Sequence, residues 1–151
     1  MQTLCGADVD RAYLQAMIQL NMQVMALSDA AVVNLGTTRL QDYATNSIAD
    51  SRSRISQAES WLRSKFCLTV AACPPGSIGQ TVCDMLCADK SGAAFDAAYK
   101  KQLVQWYVDE IALSQVEIDR GLDCQVKAYA AEVIRQNQAR IERLHRCGVC
   151  I

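Results

Sequence analysis

Apolar residues return every three or four positions along most of this chain, the spacing of helices that bury one side. In the first such stretch Tyr13, Met17, Leu20, Val24, Leu27 and Ala31 share a face. Asp8 or Asp10 can cap its start, which predicts a helix running to about Leu35. Gly36-Thr37-Thr38 then breaks the pattern. A second stretch, from about Arg39 to Lys65, places Leu40, Tyr43, Ala44, Ile48, Ile55, Ala58 and Leu62 on one side. The periodicity returns over about 95–120, stops at Gly121-Leu122-Asp123-Cys124, and resumes over about 125–146. Stripes this wide exceed a two-stranded coiled-coil seam and suit a four-helix bundle.

The second pair of stretches repeats the first. Displaced by 86 positions, residues 7–61 align with 93–147 without a gap. Identities fall at Ala7/Ala93, Asp10/Asp96, Ala12/Ala98, Tyr13/Tyr99, Gln19/Gln105, Ala26/Ala112, Leu27/Leu113 and Ser28/Ser114 in the first helices. The second helices add Tyr43/Tyr129, Ala44/Ala130, Ile48/Ile134, Arg54/Arg140 and Ile55/Ile141. Pairs such as Met17/Leu103 and Met25/Ile111 are conservative. The pattern is that of a duplicated helical hairpin. The predicted fold is therefore all-α: a single domain over 1–151, with hairpin repeats at 7–66 and 95–147 and a cysteine-rich linker at 67–94.

That linker carries Pro74-Pro75, Gly76, Gly79 and four cysteines, and Gln80 to Ala88 can form one short helix. Its length bears on topology. An up-down-up-down bundle needs only a few residues between helices two and three. A helix of about 27 residues is about 40 Å long, which about a dozen extended residues can span. The linker thus predicts a ferritin-like crossover. In that topology Cys5, Cys67, Cys73 and Cys124 gather at one end, and Cys83, Cys87, Cys147 and Cys150 at the other.

Eight cysteines is an even number, and four at each end permits two bridges at each end. Four disulfides and an oxidising compartment are the expectation, ahead of a zinc site built from Cys83, Cys87, Cys147 and Cys150. Cys147-Gly148-Val149-Cys150 has the redox spacing, but it follows a helix instead of opening one, where a thiolate would be stabilised. With 15 basic and 16 acidic residues intermixed, the chain lacks the uncompensated basic face that nucleic acid requires. No apolar run reaches the length of a membrane span. No charged start followed by an apolar segment opens the chain, so a secreted protein would be represented in its mature form.

Val9-Asp10-Arg11-Ala12-Tyr13, Met17-Ile18, Tyr43-Ala44, Ile48, Arg54-Ile55 and Trp61-Leu62 follow one another at a characteristic spacing. Over residues 9–62, and more weakly over 95–146, the chain resembles the bacterial family named domain of unknown function 305. The resemblance implies a ferritin-like fold and an extracytoplasmic setting. Members typically carry Pro-His-His after Met-Ile, which implies metal binding, copper among the suggested ions. This chain has Gln19-Leu20-Asn21 there, and Gln105-Trp106-Tyr107 in the repeat, so that ligand set does not carry over.

Other donors remain. Met17, Met22 and Met25 supply soft thioethers suited to Cu(I), although methionine at helical spacing is commonly core filler. Glu142 and His145 form Glu-x-x-His, the spacing used in di-iron bundles, but the repeat has Ser56 and Glu59 in their place. Glu110 and Glu117 fall on the apolar stripe of the third helix. They either form a polar layer with Asn21, Ser51, Tyr107 and Asn137, holding an ion or small ligand, or reach solvent or an arginine, and the second is the expectation. Trp61, Trp106 and Tyr107 are expected core anchors. Arg52, Arg54, Arg63, Lys65, Arg135, Arg140, Arg143 and Arg146 are expected on solvated faces. One histidine in a terminal turn cannot serve a Ser-His-Asp set, and no glycine-rich phosphate loop is present.

The leading expectation is a non-enzymatic, cofactor-free, disulfide-stabilised structural or protein-interaction subunit outside the cytosol, associating with a partner or with itself. The alternative is an extracytoplasmic protein handling copper or iron through Met17, Met22, Met25, Glu110, Glu142 and His145. A secreted inhibitor-like module is a third.

Overall fold

The computed structural model describes residues 6–68 and 92–149, with side chains in the second half from Ala93 to Arg146. Helices are the only regular elements among them: α1 (Ala7–Ala31), α2 (Thr38–Phe66), α3 (Gly92–Arg120) and α4 (Cys124–Val149). The short helix expected at Gln80 to Ala88 lies outside the described residues. Within them, no helix is long and apolar enough to cross a membrane.

Local chemistry sets the ends. Thr37 is extended, and its hydroxyl accepts from the Leu40 N–H, which opens α2. Asp123 opens α4 by accepting from the N–H groups of Gln125 (2.8 Å) and Val126 (3.1 Å). The first helix stops four residues before Leu35. The Asn34 and Leu35 N–H groups both turn back to the Ala31 carbonyl, and Leu35 drops into the core. The third helix starts at Gly92, earlier than expected, and brings Phe95 and Asp96 into the interior.

Bonds between the halves fix the helix directions. Tyr13 Oη lies 2.8 Å from Ser114 Oγ, and Ser28 Oγ lies 2.7 Å from Tyr99 Oη, so α1 and α3 are antiparallel. Tyr43 meets Tyr107, and Arg54 meets Glu110, so α2 and α3 run the same way. The chain therefore goes up, down, down, up, and Phe66 and Gly92 lie at opposite ends. A bundle alternating up and down is excluded.

These contacts obey the 86-residue offset. Tyr13–Ser114 and Tyr99–Ser28 are the same bond made once by each half. Asp10 accepts from the backbone of Leu122 (2.9 Å) and Asp123 (3.1 Å), while Asp96 accepts from Gly36 (2.9 Å), the counterpart of Leu122. Arg54 bonds Gln136, and Arg140 bonds Asp50, the counterpart of Gln136. Residues identical between the halves thus hold the halves to each other.

The interior falls into two apolar clusters. One gathers Leu27, Leu40, Phe95, Tyr99, Leu103 and Trp106, and the other gathers Leu14, Met17, Ile18, Ile55, Leu62 and Val126. Between them, on each helix, sits a polar residue: Asn21, Ser51, Glu110 and Asn137, all buried. The expected anchors Trp106 and Tyr107 are core residues, while Trp61 is half-buried and packs edge-on against Tyr129, ring centres 5.4 Å apart.

Candidate functional site

The polar layer is built around Arg54. Its Nη1 donates to Glu110 Oε2 at 2.5 Å, and its Nη2 donates to Gln136 Oε1 (2.9 Å) and Asn137 Oδ1 (3.0 Å). Asn137 Nδ2 donates to Glu110 Oε2 at 2.8 Å. Arg54 is 6% exposed and Glu110 not at all, so this arginine belongs to the interior and not to a solvated face. Of the two arrangements open to the stripe glutamates, Glu110 meets an arginine, but inside a polar layer that includes Tyr107. Glu117 reaches neither solvent nor an arginine. Burial pushes the Glu110 carboxyl above its ordinary range, opposed by the Arg54 guanidinium and the Asn137 amide. Glu110 Oε1 and the Tyr129 hydroxyl are buried without a partner among the described residues. Arg140 stacks over the Tyr107 ring at 5.7 Å and bonds Asp50 at 2.7 Å.

One pole carries a second constellation. Lys65 near the end of α2 bridges to Asp123 at the start of α4, 2.8 Å apart. Two residues beyond Lys65, Cys67 closes α2 in the left-handed region at φ 54°, its N–H bonded to the Arg63 carbonyl while the Leu68 N–H reaches Leu62. Glycine normally takes that position, so the cysteine bears a backbone cost. Cys124 follows Asp123. Both thiols are exposed and free. Their placement at one pole agrees with the end-to-end sorting of cysteines. Cys5, Cys73, Cys83, Cys87 and Cys150 lie outside the described residues, as does the side chain of Cys147.

Asp10 and Glu117 meet at the same pole, where Gly121 packs directly on the Glu117 carboxyl. Burial pushes Glu117 up to about 8, helped by its hydrogen bond to Asp10 and the charge of Asp10. At neutral pH the folded protein therefore holds a proton on Glu117 that the unfolded chain, with an ordinary value of 4.5, has released. A proton bound only in the folded state stabilises it at low pH, and the contribution is lost as pH rises through about 8. Urea melts of Glu117→Gln, which keeps the donor without the titration, are expected to lose most of the decline between pH 5 and 9. An unchanged slope would assign the decline elsewhere.

The candidate metal donors do not converge among the described residues. Met17 is fully buried in the second cluster, and Met22 and Met25 are half-buried against it. Glu110 is committed to Arg54. Glu142 is exposed, 3.5 Å from Arg146. His145 is exposed beside an open hollow with Lys100 and Lys101, near the far end of α4. No group of three or more His, Cys, Asp or Glu side chains is placed to hold a metal ion among the described residues.

The topology and the split core invite comparison with solved structures. CopM in its silver-bound form, obtained by soaking, superposes with a TM-score of 0.77 over 97% of this chain and 95% of that one. Its Cu(I)-bound form gives 0.74 over 91% and 93%, and its Cu(II)-bound form 0.73 over 91% and 94%. The fold is similar to that of CopM. Identity is only 14–16%, so the likeness to CopM concerns the fold alone. No family model and no curated protein matches the sequence.

Arg54, Asp10 and Glu117 take places other than those their sequence surroundings predict; for Arg54 and Asp10 a signal exists. Each of these two is identical in the two halves, but their partners lie 56 and 112 positions away.

Proposed function

We propose that this chain is a non-catalytic, extracytoplasmic metal-handling protein that binds soft ions, Cu(I) above all, through sulfur instead of histidine. The observation that carries the reading is a fold shared over more than nine-tenths of both chains with CopM, which is known in copper-bound and silver-bound forms. The duplicated hairpins, the opposite-pole connection and the resemblance to domain of unknown function 305 support a ferritin-like scaffold. The donor chemistry fits a soft ion. Cys67 and Cys124 offer free, exposed thiols at one pole, and Met25 is a half-buried thioether. It does not fit a di-iron centre, because Glu110 is salt-bridged and the sole histidine is remote from it.

In this reading the bundle is a rigid frame and the cysteines are the working groups, open to oxidation to disulfides when no metal is bound. Fully reduced protein, purified without chelators, is titrated with Cu(I) held by a chromogenic chelator. It is expected to withdraw about one ion per chain, and Cys67→Ser with Cys124→Ser to withdraw none. Retention of all copper by the chelator would reject the metal reading and leave the structural, protein-associating role. Intact mass before reduction gives the resting state: eight hydrogens below the reduced value means four disulfides.

A further inference from the structure

A cleft of about 300 Å³ opens between α2 and α4 over Tyr43 and Ser47. A second cleft, of about 320 Å³, lies farther along the same pair of helices, over Tyr129 and Val133. The 86-residue offset turns one into the other. Tyr43 corresponds to Tyr129, Ser47 to Val133, and Arg140 to Arg54. The clefts are thus two copies of one hollow, and their differences show what each copy has become.

The differences are electrostatic. Asn46 stands in the first cleft where Glu132 stands in the second, and Arg143 where the second has Gln57. Arg135 lines the first cleft, and its counterpart Ala49 lines neither. The first cleft therefore sets three guanidinium groups, Arg135, Arg140 and Arg143, against the single carboxylate of Asp50. In the second, Arg54 and Arg140 face Asp50 and Glu132, and charge balances. Commitment of donors follows the same line. Arg135 is turned to Glu132, and Arg140 holds Asp50 and Asn137. Arg143 and Asn46 have no hydrogen bond or ion pair among the described residues, so a guanidinium fork and an amide face the cleft uncommitted.

We propose that the cleft over Tyr43 and Ser47 binds a small dianion carrying phosphate or carboxylate groups, and that its duplicate does not. Planar guanidinium donors match both oxyanions in pairs, and the cavity is at the small end of ligand sites. The neutral rim of the second cleft supplies the internal comparison. This site is independent of the cysteine pole.

The test uses the full chain at constant ionic strength, titrated separately with inorganic phosphate and with succinate by calorimetry. Saturable one-to-one binding of either anion is expected, and the tighter of the two names the ligand class. Arg143→Gln and Asn46→Glu each install the residue of the duplicate cleft and are expected to weaken binding at least tenfold. Both positions are exposed, and unchanged thermal melts show that the variants fold. Gln57→Arg in the second cleft leaves the first site's affinity intact. Absence of saturable binding by both anions, or binding equal to the original in both folded variants, overturns the proposal.

Discussion

Arg54→Ala is expected to cost about 3–5 kcal/mol of folding stability, the range for stripping the partner from a buried charge. The arginine is one of four hydrogen-bonding members of a layer closed on both sides by apolar clusters, and Glu110 behind it has no water-exposed surface. Its removal leaves Glu110 to protonate or to drag water into the bundle, and leaves Asn137 with only the longer bond from Arg140. The attraction between the charges is not by itself the source of the loss, because both were taken from water to make the pair. Replacing both partners, Arg54→Met with Glu110→Leu, is therefore expected to recover most of the stability. Denaturant unfolding of the single and double variants checks the pair. A mild single variant, below about 1 kcal/mol, would place Arg54 in solvent.

Gly121→Ala is expected to lose about 1–3 kcal/mol by overpacking. A methyl group at Gly121 would sit 2.6 Å from the Glu117 carbonyl oxygen and 2.6 Å from its side-chain Cδ, with the carboxyl Oε1 closer still. Backbone cannot yield there, because Gly121 N–H is bonded to that same carbonyl at 2.7 Å. The carboxyl has no room to swing away, because Glu117 is itself fully buried beside Asp10, which secures the turn that joins α3 to α4. Gly36, in the turn of the other half, is the control. Its added carbon would meet only the Asp96 carboxylate, at 3.2 Å, and Gly36→Ala is expected to cost less than Gly121→Ala. Thermal melts of the two variants side by side decide the matter, and equal losses would contradict the packing described for Glu117.

The helices were legible because each stripe of Leu, Ile, Val and Tyr is a local record of one buried face. The 86-residue self-match was legible as well. It carries more than helix count: Asp10, a candidate cap of its own helix, and its counterpart Asp96 each accept from the turn of the opposite half. Helix direction was inferable only from linker length, since periodicity says nothing about which end meets which. Arg54 could not be recognised as buried, because what draws it inward is a carboxylate in the other repeat. The cysteine pole was half legible. The crossover topology expected from the linker placed Cys67 and Cys124 at one end, but the left-handed backbone at Cys67 leaves no mark in the residues around it.

The reciprocal bonds between the halves have a practical corollary. Each hairpin presents to its neighbour the same aspartate, tyrosine, serine and arginine that it receives, which is the self-complementary surface of a symmetric dimer. The hairpin of one molecule can clasp the complementary hairpin of another without any new contact. At high protein concentration, after partial unfolding, exchanged pairs of chains are the natural misassembled product, and they would be as well bonded as the original.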